Sequence, residues 1–442
     1  MKVLKFGGTS VGTPERMHHV AQLVKESGRN IVVLSAMSGT TNSLVEISDY
    51  LSKGNVPGAQ ETVNALRQKY ASVIEGLYSK AESKQRAQDF VGRRFNYILS
   101  FAQGEFGPVE EKEILAQGEL ISTNLMQIYF EEIGMRSVLI PTLEYMRITA
   151  EGEPDMKYIT SHLRRLVDIE PDADVWLTQG YICRNARGEV DNLHRGGSDY
   201  SASIIGAALD LEEIQIWTDI DGMHTGDPRY VKDTRPVSQL HFEEAAELAY
   251  FGAKILHPTC VLPAKLHNIP VRLLNTMDPS APGTLIANFP PDGTVKAIAA
   301  KDNITAIKIK SGRMLLAYGF LHKVFEIFDK YNTAIDMMAT SEVGLTVTID
   351  NTEHLSDILD ELKHFGTVEV DSDMVIICIV GDFIWDNGQH HGSNAVAAMR
   401  DIDVRLISYG ASNYNFSVLV RADQKIKTLN QLNDKLFNTS SK

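Results

Sequence analysis

The feature that most constrains this 442-residue chain is a pattern running through its first 290 or so residues. Short, fully apolar, β-branched runs alternate with helical stretches, and each run ends at a polar or glycine-rich turn. VLKF (3–6) runs into Gly7-Gly8, and NIVVLSA (30–36) runs into MSGTTN (37–42). VWLTQG (175–180) and EIQIWTD (213–219) end the same way. Strands that are apolar on both faces and separated by helices build a parallel sheet covered on both sides. The expected class is therefore α/β, a parallel-rich sheet with helices on both faces. Ligands of such sheets bind at the carboxyl ends of the strands, where these turns fall. From about residue 44 to 130 the pattern is mostly helical with a gap around 104–108, which predicts a helical insertion.

The texture changes after NTMDPSAPGTLI (275–286) and the turn FPPDGT (289–294). Short β-α-β units are expected from there: AIKIK (306–310), a helix over 320–331 and GLTVTID (344–350). DMVIICIV (373–380), a helix through 394–400 and NFSVLV (415–420) form a second set. The stretch IDMMATSEVGLTVTID resembles VRLISYGASNYNFSVLV, a weak internal repeat better read as two small α/β modules than as a solenoid. The expected domains are 1–294 and 295–442.

Lys and Arg total 43 against 57 Asp and Glu, a formal charge of −14. That balance argues against a general nucleic-acid binder, which needs a basic face. Anionic ligands would instead require cations focused in one cleft. Cys183, Cys260 and Cys378 lie far apart without CxxC spacing, so neither a disulfide framework nor a zinc knuckle is expected. The N-terminus has no signal-peptide core, and no apolar stretch approaches the ~20 residues of a membrane helix. A soluble, cytoplasmic protein that binds no membrane is expected.

KFGGTS (5–10) puts a lysine at a strand end and two glycines in the next turn. The residues alone fit either a tight turn with a solvated lysine or a phosphate cradle of bare backbone amides. No Gly-Lys dipeptide occurs, which excludes a P-loop, and no G-x-G-x-x-G follows a strand. HRGGSD (194–199) is a second Gly-Gly turn; Ser198 and Asp199 could simply cap a helix, while Arg195 suits bidentate capture of a carboxylate. WTDIDGMHTGDPR (217–229) crowds three aspartates into one loop without EF-hand spacing. Lys254 in FGAKILHP and Glu119 in GELIST are open to plain helix-end readings. Together, two lysines, an arginine and three Gly- or Ser-rich turns, with no nucleophile–base dyad, are what phosphorylation of a carboxylate needs. Its nucleophile is already ionised, and the work is positioning and charge neutralisation.

KFGGTS, SAMSGTTN, QGELIST, HRGGSDYSA, WTDIDGMHTGDPR, FGAKILHP and NTMDP…GT stand in order across nearly the whole chain. This set resembles the aspartokinases of the amino-acid-kinase superfamily, and SYGASNYNFSVLV (408–420) resembles their monofunctional, lysine-sensitive class. The resemblance implies an amino-acid-kinase fold followed by α+β tandem ACT-type (ferredoxin-like) modules, with L-aspartate, ATP and Mg²⁺ as reactants. Lys5, Asp199 and Lys254 take the catalytic roles it implies. Thr41, Glu119, Arg195, Gly196, Gly197 and Ser198 become the aspartate set, with Arg195 on the α-carboxylate and Glu119 near the α-ammonium. Lys5, Gly7, Gly8, Thr218, Asp219, His224, Arg229, Lys254 and Ile255 become the ATP set; His224 stands where relatives carry a tyrosine. It also implies an L-lysine effector site at Met314, Phe320, Leu321, Ala334, Ile335, Asp336, Thr340, Ser341 and Glu342. Pairing of ACT-type modules into a homodimer or homotetramer follows from the same resemblance, while the Mg²⁺ ligands stay unassigned. No dinucleotide-binding domain follows residue 442, so an appended homoserine dehydrogenase is not expected.

Overall fold

A computed structural model describes residues 1–193, 196–252, 257–290, 292–312, 318–384, 388 and 390–437. Two compact units result: Met1–Met223 with Ser238–Phe242 and Ile255–Asn288, and His224–Val237 with Glu243–Lys254 and Phe289–Lys442. This division is not the linear one expected at 294/295. Residues 224–237 and 243–254 pack with the C-terminal part, partly because Ile298 N donates to Thr225 O at 2.8 Å and Val231 joins that unit's core.

In the first unit, β1 (Lys2–Phe6), α1 (Pro14–Glu26) and β2 (Asn30–Leu34) begin the alternation. The helical insertion follows as α2 (Thr40–Ser52), α3 (Val56–Leu77), α4 (Ala81–Ser100), α5 (Pro108–Leu115) and α6 (Gln117–Glu132). Next come β3 (Ser137–Ile140), α7 (Met156–Ile169), β4 (Val175–Gln179), a hairpin of β5 (Ile182–Arg184) and β6 (Val190–Asn192), α8 (Gly197–Leu209) and β7 (Ile214–Thr218). The short β8 (Gln239–His241) leads into α9 (Phe242–Tyr250), and α10 (Pro258–Leu266), β9 (Val271–Asn275) and β10 (Thr284–Ala287) complete the set. The sheet order is β3-β4-β2-β1-β7-β9-β10-β8. All pairs are parallel except β9–β10. β2 and β4 are buried at every position, and Leu4, Val32, Leu177 and Leu274 share one core with the helical insertion. Full burial explains the unbroken apolar runs.

The second unit is built on one antiparallel sheet. Its elements are β11 (Val295–Lys310), α11 (Phe320–Lys330), β12 (Met338–Thr340), β13 (Gly344–Ile349), α12 (Leu355–Leu362), β14 (Thr367–Gly381), α13 (His391–Ala398), β15 (Leu406–Tyr409), β16 (Asn415–Arg421) and α14 (Lys425–Leu436). The order β12-β13-β11-β14-β16-β15 makes the two modules halves of a six-stranded sheet. Their nesting differs from the sequential reading. Ile307 and Ile309 of β11 share a core with α11, β13 and α12, whereas Ile298, earlier on the same strand, packs with β14, β16, α13 and α14. One module is thus inserted within the other. The hand-over falls at the register shift between Lys301 and Ile304, where Asn303 takes φ 60°. Sequence periodicity missed residues 295–301 as a strand because this half pairs only with residues 75 and more positions away.

Candidate active site

The candidate site forms where strands of the first unit end. Lys5 is the fourth residue of β1, a central strand, and its side chain is only 11% exposed. Its Nζ lies 2.5 Å from Oδ1 of Asp199, in the first turn of α8. The contact is one of charges, since Oδ1 receives no aligned hydrogen bond among the described residues. Gly196 N-caps α8 at φ 87°, and a Cβ there would lie 2.8 Å from the buried Cys260 Sγ, so only glycine brings this turn so close to α10.

The turn after β1 is held from both sides. Gly7 N donates to Trp217 O at 3.3 Å and Ser38 N to Gly8 O at 3.0 Å. A Cβ on Gly8 would come within 2.7 Å of Ala36 O, so the turn lies directly on the end of β2. A Cβ on Gly7 would sit 3.6 Å from Lys5 Nζ; glycine there leaves the ammonium uncovered. A nearly buried cation beside a bare backbone turn and a helix N-terminus fits a transferring phosphoryl group. Sequence patterns did not reveal the supports behind this turn. The Ser10 and Thr276 hydroxyls are 2.7 Å apart, and His19 Nε2 lies 2.7 Å from Thr276 O. These partners are 266 and 257 positions apart, so no local signal links them.

Glu119, in the first turn of α6, is 4% exposed and accepts from Ala36 N at 3.1 Å. Its Oε2 is buried without a hydrogen-bond partner among the described residues. Burial pushes its carboxyl up to about 7, against the pull of the Ala36 amide. α6 is held in place by Ser122 Oγ donating to Ser35 O (2.8 Å) and by Gln179 Nε2 donating to Thr123 Oγ1 (2.8 Å). Ser35 Oγ donates to Ser198 Oγ at 2.9 Å, joining the β2 turn to the start of α8. A buried carboxylate oxygen lacking a donor suits a substrate ammonium.

Thr41 is half-buried in the first turn of α2, and Gly197 and Ser198 open α8. Thr218 ends β7, where its Oγ1 accepts from Ile220 N at 3.2 Å, and Asp219 is exposed beside it. Lys5, Gly7, Gly8, Thr41, Glu119, Gly196, Gly197, Ser198, Asp199, Thr218 and Asp219 thus all belong to the first unit, while His224 and Arg229 belong to the second. There His224 Nδ1 lies 3.2 Å from Thr234 Oγ1, and the Arg229 guanidinium forks onto Asp227 at 2.6–3.0 Å. Arg195, Lys254, Ile255 and Met314 lie outside the described residues.

Of the remaining effector candidates, Phe320 and Leu321 open α11 after Gly319, and Phe320 is buried. Ala334, Thr340, Ser341 and Glu342 are exposed, and Ile335 is half-buried. Asp336 is not free: Lys301 Nζ lies 2.5 Å from its Oδ1.

A parallel sheet with a lysine–aspartate pair and glycine turns at its strand ends defines a small-molecule kinase fold. Residues 1–275 match the family described as the amino acid kinase family. Within it, the chain belongs to the aspartokinases. It is 31% identical to the lysine-sensitive aspartokinase 3 of Escherichia coli (strain K12), over 98% of this chain and 99% of that one. The solved structure of E. coli aspartokinase III with aspartate and ADP (R-state) superposes with a TM-score of 0.85 at 31% identity, covering 99% of this chain and 100% of that chain. The same enzyme with lysine and aspartate (T-state) gives 0.82 at 31% identity, with 99% of each chain covered.

Proposed function

We propose that this chain is an ATP-dependent aspartate kinase that makes 4-phospho-L-aspartate, the first step toward lysine, threonine and methionine, under feedback inhibition by L-lysine. The observation that carries the reading is the Lys5–Asp199 pair beside the Gly7-Gly8 turn, on a fold that superposes end to end on an enzyme solved with aspartate and ADP. A side-chain carboxylate oxygen of aspartate attacks the γ-phosphorus, forming one O–P bond as the bond to the leaving ADP oxygen breaks. The nucleophile is ionised at neutral pH, so no general base is required. Lys5 neutralises charge on the transferring group, and Asp199 holds the Lys5 ammonium in place.

Glu119 receives the α-ammonium and Arg195 the α-carboxylate, flanked by Thr41, Gly196, Gly197 and Ser198. Lys254, Thr218, Asp219, His224, Arg229 and Ile255 serve the nucleotide. The described residues contain no group of three or more His, Cys, Asp or Glu placed to hold a metal ion, so the Mg²⁺ ligands stay unassigned. Mg²⁺ bound with the nucleotide would supply charge neutralisation for the phosphate groups. Catalysis falls mainly to residues 1–294 and regulation to 295–442, although 224–237 and 243–254 pack with the regulatory part, and L-lysine binds around Phe320, Asp336 and Glu342. Assembly as a homodimer or homotetramer through the ACT-type modules is supported by apolar residues left exposed on β12 and β15: Met338, Ile407 and Tyr409. A cytoplasmic location fits the described helices, none of which is long and apolar enough to cross a membrane.

Trapping the acyl phosphate with hydroxylamine tests the reading, with L-aspartate and L-glutamate as substrates and lysine, threonine or methionine added singly. The expected result is aspartate-dependent product suppressed by lysine. Product from glutamate but not aspartate, or no product at all, sinks the kinase assignment; inhibition by threonine alone sinks the effector.

A further inference from the structure

The second unit holds a buried charge cluster that the transfer reaction does not use. Lys301, on β11, places Nζ 2.5 Å from Asp336 Oδ1 and 2.9 Å from Asp350 Oδ2. The same ammonium lies 4.7 Å from the centroid of the Tyr250 ring, whose hydroxyl donates to Asp336 Oδ1 at 3.1 Å. The two carboxylates differ in setting: the Asp336 side chain is 1% exposed and that of Asp350 40%. Asp336 Oδ2 is buried with no hydrogen-bond partner among the described residues.

Resting on the reading of L-lysine as effector at Asp336, we propose that Lys301 is the chain's own stand-in for the effector's side-chain ammonium. In the free protein it balances Asp336; on binding, the effector takes Asp336 and Lys301 withdraws to Asp350. Two ammonium groups on one buried carboxylate repel strongly where little water screens them. Removing the buried charge's only cation among the described residues without replacement is equally costly. The more exposed Asp350 resolves this, because Lys301 already touches it and keeps a counter-ion after the exchange. One ammonium–carboxylate contact is traded for another, so effector affinity reflects the difference between two similar contacts. Tyr250 shares the contested oxygen and carries Lys301 on its ring, so the exchange disturbs the end of α9. That end lies four residues before Lys254 in the sequence. An element whose contacts differ between bound and free states is what coupling requires.

The test is calorimetric titration of the full-length chain with L-lysine. Lys301→Met removes the competitor and should tighten binding about 5–10-fold, within the ordinary range of coupling effects. Asp350→Asn removes the place to which Lys301 withdraws and should weaken binding about 3-fold or more. A merely structural cluster would lose affinity in both variants, so the opposite signs are diagnostic. Equal or weaker binding by Lys301→Met overturns the proposal while leaving the effector reading intact. Absence of L-lysine binding by the parent chain ends both. Should Lys301→Met fail to fold, Asp350→Asn decides alone, and unchanged or tighter binding there overturns the exchange.

Discussion

The parallel unit and the antiparallel unit each set a lysine ammonium 2.5 Å from an aspartate carboxylate. Lys5 is the next-to-last residue of a central parallel strand beside a turn of two glycines, and Asp199 is its one carboxylate partner among the described residues. Lys301 lies within an antiparallel sheet, between two carboxylates and over an aromatic ring. The difference is topological. Parallel strands deliver all their carboxyl ends, and the helix starts that follow, to one edge, where a cation keeps an uncovered side. An antiparallel sheet with two carboxylates and an aromatic ring around one lysine surrounds its cation. A lysine with one partner can turn to a substrate; a lysine with three can only be exchanged.

Lys5→Ala is the most severe way to test that contrast. Loss of a positioned cation should lower kcat by ~10³-fold or more, with aspartate affinity held within about 3-fold. Steady-state rates with calorimetric aspartate binding would show it. A kcat within a few-fold of the parent would make Lys5 another structural ion. Asp199→Asn should cost less, about 10²-fold in kcat, because the ammonium remains but is no longer held in place. An effect confined to KM for ATP would remove Asp199 from its positioning role.

The pH dependence of aspartate binding comes next in size. Glu119, carrying its proton below about 7, cannot offer a full charge to the α-ammonium. KM for aspartate should therefore fall as pH rises toward 7, by up to about tenfold per unit, and level off above it. Glu119→Gln should flatten the profile at a raised KM. A parent profile that is already flat between pH 5.5 and 8 would contradict this role.

How much of this was legible in the sequence follows the same division. β1, β2, β4 and β7 announced themselves because burial on both faces leaves a mostly apolar run that ends at a polar or glycine turn. The edge strand β8 and its neighbour β10, of 3 and 4 residues, are too short to show a period. Lys5, Glu119 and Asp199 sit in motifs next to glycines or helix starts, so chemistry and local structure coincide there. Lys301 and Tyr250 carry no such mark. Their meeting with Asp336 depends on a strand that passes through both modules and on α9 packing with a unit far along the chain. Pairing over such separations leaves no trace in local periodicity.

The smallest expected effect compares the two buried carboxyls directly. Burial raises both Glu119 and Asp336, but among the described residues only Asp336 has a lysine in contact. Glu119 titrates near 4.5 when unfolded and near 7 when folded. Between those values the folded chain holds a proton that the unfolded chain lacks, so this group's contribution to stability is full below about 4.5 and is lost as pH rises through 7. Glu119→Gln removes the charge and with it that slope. The variant should melt close to the parent at pH 5 and about 2–4 °C higher at pH 8, roughly the shift that 1 kcal/mol gives in a domain of this size. Asp336→Asn should do the reverse at pH 8, since it strips Lys301 of its buried counter-ion and lowers the melting temperature. Thermal melts of both variants at the two pH values decide the matter. A shift of the same sign for both at pH 8 would show that the presence of a lysine does not separate these sites.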